Sequence, residues 1–177
     1  TRRAHQAQAA WAKVPAPARG RVIAAVGRLM EANKDSLAAL VTREIGKTYA
    51  EALGEVQEVI DTCDFFLGEG RRLYGQTVPS EMPDKQLFTF RAPVGTAFII
   101  TAGNFPTAVP SWYIVPALLC GNSVVWKPAE VSPAISYAMT SIFHAGGVPE
   151  DVLVTIVADG ATTSAALEQV LEERLVQ

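Results

Sequence analysis

The sequence predicts an α/β protein in which N-terminal helices precede a Rossmann-like parallel sheet built from βαβ units. Two apolar runs, Ala97–Ile100 and Ser123–Trp126, are as short and as rich in β-branched residues as buried strands usually are. The segment between them has a helical pattern and ends at Gly121-Asn122, a common way to leave a helix. A strand, a crossover helix and a second strand in this order form a right-handed unit with parallel strands.

Polar residues follow both strands of this unit. Asn104 comes shortly after the first strand, and Lys127 and Glu130 lie at the end of the second. The carboxyl ends of parallel strands meet at one edge of the sheet, where open α/β sheets bind their ligands. We therefore expect these three residues to border a binding crevice.

Four helices are predicted before the sheet. They cover residues 4–13, residues 21–32, a segment from Asp35 or Ser36 to Gly46, and residues 49–74. The stretch Val14-Pro15-Ala16-Pro17 is interpreted as a stiff break between the first two, and Asp35 or Ser36 as the side chain that caps the third. An apolar stripe on the fourth helix predicts that it packs on its own domain; the stripe consists of Val56, Val59, Ile60, Cys63 and Leu67.

The remaining segments complete the α/β pattern. Residues 76–85 are interpreted as a polar linker, and residues 87–90 as a strand with an exposed edge. After the central unit, we expect a helix over residues 134–145, a third parallel strand over residues 151–157 and a helix from Thr162 to about Arg174. The first N–H groups of that last helix can bind an anion such as a phosphate.

Composition excludes several functional classes. The chain has 177 residues, of which 49% are hydrophobic and 19% charged, with a net charge of −3 and no basic run suited to nucleic acid. No apolar segment is long enough to span a membrane, and the N-terminus has no apolar core of a secretory signal. Cys63 and Cys120 lack disulfide or metal spacing and are interpreted as buried thiols, so no metal site is predicted. We expect a cytoplasmic protein.

Several short motifs occur in an order that is specific to one family. They are E-I-G-K-T-Y-A-E-A at 44–52, E-V-Q-E-V-I at 55–60, A-P-V-G at 92–95, N-F-P at 104–106, P-A-L at 116–118, G-N-S-V-V-W-K-P-A-E at 121–130 and A-G-G-V-P at 145–149. With these motifs the chain resembles the aldehyde dehydrogenase superfamily over nearly its whole length.

The resemblance implies roles for residues at the sheet edge. Asn104 would match the family's active-site Asn, whose amide helps to hold the oxyanion of a thiohemiacetal. Lys127 and Glu130 would match residues that bind the adenosine ribose of a nicotinamide cofactor. The full set of expected cofactor-binding residues is Thr101, Ala102, Gly103, Asn104, Lys127, Pro128, Ala129, Glu130, Gly160 and Ala161.

Elementary chemistry is compatible with these roles. An Asn amide fixed near a developing alkoxide is a donor of the oxyanion-hole type. A Lys ammonium donates to ribose hydroxyls, whereas a carboxylate accepts from them and disfavours an added 2′-phosphate. NAD is therefore the expected cofactor, with NADP as the alternative.

The sequence departs from the family pattern at two places. Ala158 and Ser164 stand where members commonly have glycines around the turn at Gly160, and Asp159 adds a negative charge near the expected pyrophosphate. Gly103 stands where many members carry an aromatic residue, which would open the channel or loosen the backbone around Asn104.

The resemblance also implies a division of the chain. Residues 1–80 would be the helical segment of the cofactor domain, residues 81–97 part of a bridging region used in oligomerisation, and residues 98–177 an incomplete Rossmann-like cofactor-binding segment. Family members attack the aldehyde with a Cys, and use a general-base Glu, that match no position here. We therefore expect the N-terminal part of a homo-oligomeric enzyme, a dimer or tetramer, that would be inactive alone.

The expected function is oxidation of a small aldehyde to a carboxylic acid with NAD(P). Two alternatives stay open. One is a truncated, non-catalytic module that binds a nucleotide, and the other is an assembly module that completes an oligomer through its edge strand.

Overall fold

Four helices open the chain in the computed structural model, which describes residues 1–173 and Val176. They are α1 (Arg2–Lys13), α2 (Ala16–Ala32), α3 (Lys34–Ile45) and α4 (Tyr49–Glu69). Their order agrees with the prediction, but α2 begins at Ala16 rather than Arg21. Pro15 is its N-cap and Pro17 lies in its first turn, where no intrahelical N–H is needed. The prolines therefore lie at the start of this helix and do not separate it from α1 by a longer break.

Other helix ends also differ from the prediction. Helix α3 begins at Lys34, and no side chain caps it; the Ser36 hydroxyl instead donates to the Asn33 carbonyl at 2.8 Å. Helix α4 ends at Glu69 rather than Tyr74. A Cβ atom at Gly70 would lie 2.6 Å from the Ala16 carbonyl oxygen, so the chain needs glycine at this exit.

A short antiparallel hairpin follows the helices. Strand β1 (Thr77–Val78) pairs with β2 (Leu87–Phe88), and all four residues are exposed. The predicted strand over residues 87–90 is thus confirmed only in its first half. Its partner lies in the stretch that we interpreted as a linker, and the Thr89 N–H extends the pairing by donating to the Gln76 carbonyl at 2.9 Å.

The parallel sheet has the order β3-β4-β5 within the described residues. Strand β3 (Thr96–Ile100) is joined to β4 (Ser123–Lys127) by α5 (Ala108–Leu119), and α6 (Pro133–Ala145) leads to β5 (Leu153–Thr155). This arrangement confirms the α/β class and the βαβ unit. Strand β5 is shorter than the predicted 151–157.

Helix α7 (Gly160–Glu172) follows β5. It begins at Gly160 rather than the predicted Thr162, because Asp159 caps it by accepting a hydrogen bond from the Thr162 N–H at 2.7 Å. The predicted end of this helix, Arg174, lies outside the described residues.

The N-terminal helices pack on the helices of the sheet. Helix α2 contacts α5 and α6, α3 contacts α6, α4 contacts α5, and α1 contacts β3 and β4. The predicted stripe of α4 is buried at Val56, Val59, Ile60 and Cys63, but Leu67 is 41% exposed. The stripe therefore belongs to the domain core, as predicted, except at its last position. None of the helices in the described part of the chain is both long and apolar enough to cross a bilayer.

Arg19 of α2 joins the ends of two other helices. Its Nε donates to the Leu119 carbonyl at 2.7 Å, and its Nη1 donates to the carbonyls of Ala12, at 3.3 Å, and Val14. The residue is 5% exposed, so these carbonyls receive a donor where water has little access.

We predict that Arg19→Met lowers the free energy of unfolding by about 2–4 kcal/mol, since a buried acceptor left without a partner costs about 1–3 kcal/mol. Urea unfolding followed by tryptophan fluorescence measures the change. Arg21→Met, which alters an exposed position of the same helix, is the matched control and should change stability by less than about 0.5 kcal/mol. Equal losses in the two variants would contradict the assigned role of Arg19.

Candidate functional site at the carboxyl edge of the sheet

The strand register brings two of the predicted groups of site residues together. Ile100 pairs with Lys127, and the Thr101 N–H donates to the Lys127 carbonyl at 3.2 Å. The loop after β3, residues 101–107, and the loop after β4, residues 128–132, therefore leave the sheet side by side. One loop contains Asn104 and the other contains Glu130.

Lys127 and Glu130 form an ion pair at this edge. The Lys127 Nζ lies 3.4 Å from Glu130 Oε1, and the Lys127 side chain is 10% exposed whereas that of Glu130 is 53% exposed. The ammonium has three donors, so the pair leaves Lys127 able to donate to a further oxygen. The carboxylate keeps its exposed side free to accept hydrogen bonds.

Thr101 has a structural partner of its own. Its hydroxyl oxygen accepts a hydrogen bond from Trp126 Nε1 at 3.0 Å, and the residue is buried. Ala102 next to it is exposed, Pro128 is buried and Ala129 is half-buried. Of these residues, Thr101 therefore fixes the strand end, and the backbone around Ala102 is open to a ligand.

Gly103 allows the two loops to touch. A Cβ atom at this position would lie 2.7 Å from Val131 Cγ2 and 3.0 Å from Ala129 Cβ. Many family members are expected to carry an aromatic residue at this position. In this chain Val131 occupies part of the space that such a side chain would need. Gly103 thus permits close packing between the loops, and the expectation that it opens the channel or loosens the backbone around Asn104 stays a prediction.

Asn104 presents its amide to solvent. The residue is exposed, and its side chain makes no hydrogen bond to any other residue that the structure describes. It lines a cleft of about 460 Å³ together with Glu44, Ile45, Gly103 and Val131. Its N–H donors are therefore available to a substrate oxygen.

The start of α7 lies close enough to Lys127 for the lysine charge to act on Asp159. Gly160 and Ala161 are exposed in the first turn, but the next N–H, of Thr162, is held by Asp159. Hydrogen bonds from Thr162, above all from its backbone N–H, lower the pKa of the Asp159 carboxyl, and the charge of Lys127 adds to this effect. An incoming phosphate at this helix start would meet an ionised carboxylate.

A buried carboxylate behind the Asn104 loop was not predicted as a site residue. Glu55 of α4 accepts hydrogen bonds from the Thr107 N–H at 2.7 Å, from the Thr107 hydroxyl at 2.8 Å and from the Ala108 N–H at 3.3 Å. Its other oxygen lies 2.6 Å from Lys47 Nζ, which also lies 3.5 Å from the centroid of the Phe105 ring. Glu55 thus caps α5, and Lys47 contacts the residue that follows Asn104.

The sequence contains one signal for this arrangement. Glu55 lies three residues after Ala52 and four before Val59, so it occupies a core position of the apolar stripe. Carboxylates are almost never fully buried unless they are paired, which predicts a partner for Glu55. The identity of that partner could not be read from the sequence.

A second carboxylate caps the helix that follows β4. The oxygens of Glu44 accept from the N–H groups of Ala134, at 2.9 Å, and Ile135, at 2.8 Å. The N-termini of α5 and α6 are therefore both occupied by glutamates from the N-terminal helices. Helices α5, α6 and α7 follow the described strands of the parallel sheet. Of these three, only α7 is capped by the side chain of the residue that directly precedes it, Asp159.

Neither cysteine has the properties of a catalytic nucleophile. Burial raises the pKa of the Cys63 thiol to about 12. Burial also raises the pKa of Cys120, although Arg19 and Arg91 partly oppose the shift, and Cys120 lies at the far end of α5 from Asn104. Within the described residues, no group of three or more His, Cys, Asp or Glu is arranged to hold a metal ion.

We predict that Gly103→Ala destabilises the protein by about 1–2 kcal/mol, because the added methyl overpacks the contact with Val131. The double variant with Val131→Ala should recover most of this loss, as measured by urea unfolding. Gly54→Ala is the matched control: a Cβ there would meet no atom within 4 Å, and alanine favours the helix. If Val131→Ala gave no recovery, the contact between the loops would not be the cause.

Comparison with known proteins agrees with the motifs. The sequence profile described as the aldehyde dehydrogenase family matches residues 1–176. A protein of Pisum sativum named aldehyde dehydrogenase family 7 member A1 is 40% identical over 170 residues, which are 94% of this chain and 33% of the pea protein.

Solved structures share the fold. An NADP dependent enzyme of E. coli has a TM-score of 0.93 and 32% identity, covering 99% of this chain and 36% of that one. An NAD-dependent aldehyde dehydrogenase from Sinorhizobium meliloti has a TM-score of 0.90 and 30% identity, covering 94% and 34%. This chain thus spans about a third of the length of each of these three relatives. With a family match over nearly all of its residues, the chain belongs to the aldehyde dehydrogenase family.

Proposed function

We propose that these residues form the part of an NAD(P)-dependent aldehyde dehydrogenase that binds the cofactor ribose and holds the substrate oxyanion. The observation that carries the proposal is the juxtaposition of the Asn104 loop with Lys127 and Glu130 at the carboxyl edge of the sheet. Open α/β sheets bind nucleotides at this edge. Family membership supports the reaction class.

Asn104 is the proposed catalytic residue. Its amide is exposed and free of hydrogen bonds to other described residues, so it can donate to the oxygen of an aldehyde as that oxygen gains negative charge. The cleft beside it gives a small aldehyde room to approach. The attacking thiolate and the general base are proposed to come from outside these residues, since neither Cys63 nor Cys120 has a lowered pKa.

Lys127 and Glu130 are the proposed ribose-binding residues. The ammonium donates to one ribose hydroxyl, and the half-exposed carboxylate accepts from another. Thr101, Ala102 and Gly103 are proposed to line the channel, with Pro128 and Ala129 on its other side. Gly160 and Ala161 offer the remaining first-turn N–H groups of α7 to the pyrophosphate. When bound, the cofactor supplies the acceptor for the hydride that leaves the substrate.

NAD is the preferred cofactor in this proposal, and NADP is the second choice. Relatives of both kinds exist: the E. coli structure is described as NADP dependent and the S. meliloti structure as NAD-dependent. Glu130 supports NAD because a carboxylate near the ribose repels a 2′-phosphate.

The hairpin supports a homo-oligomer, either a dimer or a tetramer. Phe88 is 55% and Phe90 is 84% exposed, and within the described part of the chain β1 and β2 pair only with each other. A two-stranded hairpin is only marginally stable alone, so we propose that it pairs with a second copy of the chain. A cytoplasmic location is proposed in addition, in keeping with two free cysteines.

The alternative of a non-catalytic nucleotide-binding or assembly module is favoured by one observation. The chain lacks two of the expected glycines around Gly160, at Ala158 before α7 and at Ser164 inside it, and carries Asp159 in the turn. Such a module would bind NAD(P) or assemble without turning over an aldehyde.

The test of the proposed function is dehydrogenase activity of the complete protein that carries this sequence, measured as NADH formation with a panel of small aldehydes. We predict that Asn104→Ala lowers kcat by about 100- to 1,000-fold, the usual cost of losing an oxyanion donor. Binding of NAD, measured by calorimetry, should change little. NAD binding without any turnover in the complete wild-type protein would favour the alternative module instead.

We also predict that Glu130→Gln shifts the cofactor preference toward NADP. The ratio of kcat/KM for NAD to that for NADP should fall by about tenfold, because the substitution removes a charged acceptor and the repulsion of a 2′-phosphate. Glu168→Gln on the exposed surface of α7 is the control and should leave this ratio unchanged. An unchanged ratio in the Glu130 variant would exclude it from ribose recognition.

A further inference from the structure

We propose that Glu55 and Lys47 are positioning residues. They hold the Asn104 amide in its reactive orientation by fixing the backbone that follows Asn104. The inference rests on the proposed function of Asn104 and adds the device that keeps this side chain in place. It starts from the observation that no other described residue holds the Asn104 amide by a hydrogen bond. The orientation of Asn104 is therefore set by the backbone that carries it.

Glu55 anchors that backbone on the C-terminal side. One of its oxygens accepts three hydrogen bonds from Thr107 and Ala108, at 2.7–3.3 Å, where α5 begins. Thr107 and Glu55 are both almost fully buried, at 1% and 2% exposure. Hydrogen bonds to a charged acceptor in such a setting are about twice as strong as those between neutral groups. The loop end three residues after Asn104 is thus fixed to α4.

Lys47 anchors the residue next to Asn104. Its ammonium pairs with the second oxygen of Glu55 at 2.6 Å and lies 3.5 Å from the centroid of the Phe105 ring. A cation over an aromatic face attracts the ring and limits its movement. Glu55 and Lys47 therefore hold Phe105 and Thr107, whereas Asn104 lines the cleft.

A stability role alone does not account for this arrangement. Glu44 caps α6 with two hydrogen bonds from a half-buried position. At α5 the cap is a fully buried carboxylate whose charge is balanced by a lysine, and the same lysine contacts the loop that carries the oxyanion donor. A displacement of about 1 Å at a reacting group can lower a rate by about 100-fold, so rigidity is needed at Asn104.

The test is a double-mutant cycle between positions 55 and 104 in the complete protein. Glu55→Gln keeps the size of the side chain but removes the charge that holds Lys47 and Thr107. We expect it to lower kcat by about 10- to 100-fold, with less than about a twofold change in the dissociation constant for NAD. In the Asn104→Ala background the same substitution should change kcat by less than about twofold, because the group that it positions is gone.

A structural role would give a different result. If Glu55→Gln lowered kcat equally in both backgrounds, or weakened NAD binding as much as it lowered kcat, then Glu55 would not act through Asn104 and the inference would be overturned. Thr107→Val is a milder variant that removes one hydrogen bond to Glu55. It should lower kcat by a few-fold in the wild-type background and leave kcat unchanged in the Asn104→Ala background. If Glu55→Gln does not fold, Thr107→Val takes its place in the double-mutant cycle.

Failure of the proposed function is distinguishable from failure of this inference. If Asn104→Ala itself had no effect on kcat, the role of Asn104 would be wrong. Suppose that Asn104→Ala strongly lowered kcat and that Glu55→Gln lowered kcat by the same factor in the Asn104→Ala background as in the wild type. Then only the positioning role of Glu55 would be wrong. Glu31→Gln, on the exposed surface of α2, controls for a general effect of removing a carboxylate and should leave kcat unchanged.

Discussion

The complete burial of β4 is the constraint on which the arrangement of the other described residues depends. Every residue of this strand, from Ser123 to Lys127, is buried, and β3 and β5 pair with its two edges. The side chains in the middle of a strand enclosed in this way cannot contact a ligand. Polar groups can reach a ligand only where the strand ends, and this confines Lys127 and the loop that contains Glu130 to the carboxyl edge beside Asn104. The location of the candidate site thus follows from the burial of the sheet.

The N-terminal helices contribute charges as well as packing. Glu55 and Glu44 occupy the N-termini of α5 and α6, where the helix dipoles and unpaired N–H groups would otherwise attract an anion. With these two positions filled by protein carboxylates, the start of α7 is the one left for a phosphate among the described helices that follow strands of the parallel sheet. Its own cap, Asp159, makes this start less favourable for an anion than the glycine-rich turn that is common in the family. In the proposed function, cofactor affinity therefore depends on Lys127 more than on α7.

The parts of the fold that repeat a regular pattern could be predicted from sequence. The βαβ unit was predicted from the apolar runs at Ala97–Ile100 and Ser123–Trp126 and from the helix end at Gly121. The positions of Asn104, Lys127 and Glu130 after its strands predicted that they lie at one edge of the sheet. Strand β1 has only two residues, too few for an alternating pattern, and so it was interpreted as a linker. The caps by Glu44 and Glu55 join helices that are far apart in the chain, which local periodicity cannot reveal. The same holds for the contact between Gly103 and Val131, because it depends on how two loops leave the sheet.

The contacts of α1 and α2 with the end of α5 have a consequence for the order of folding during synthesis. The hydrogen bond from Trp11 to Leu118 spans 107 residues and that from Arg19 to Leu119 spans 100. Contacts between distant parts of a chain form slowly, because a long loop must close first. These two hydrogen bonds can therefore form only after the end of α5 has been synthesised, whereas α2 can pack on α4 earlier.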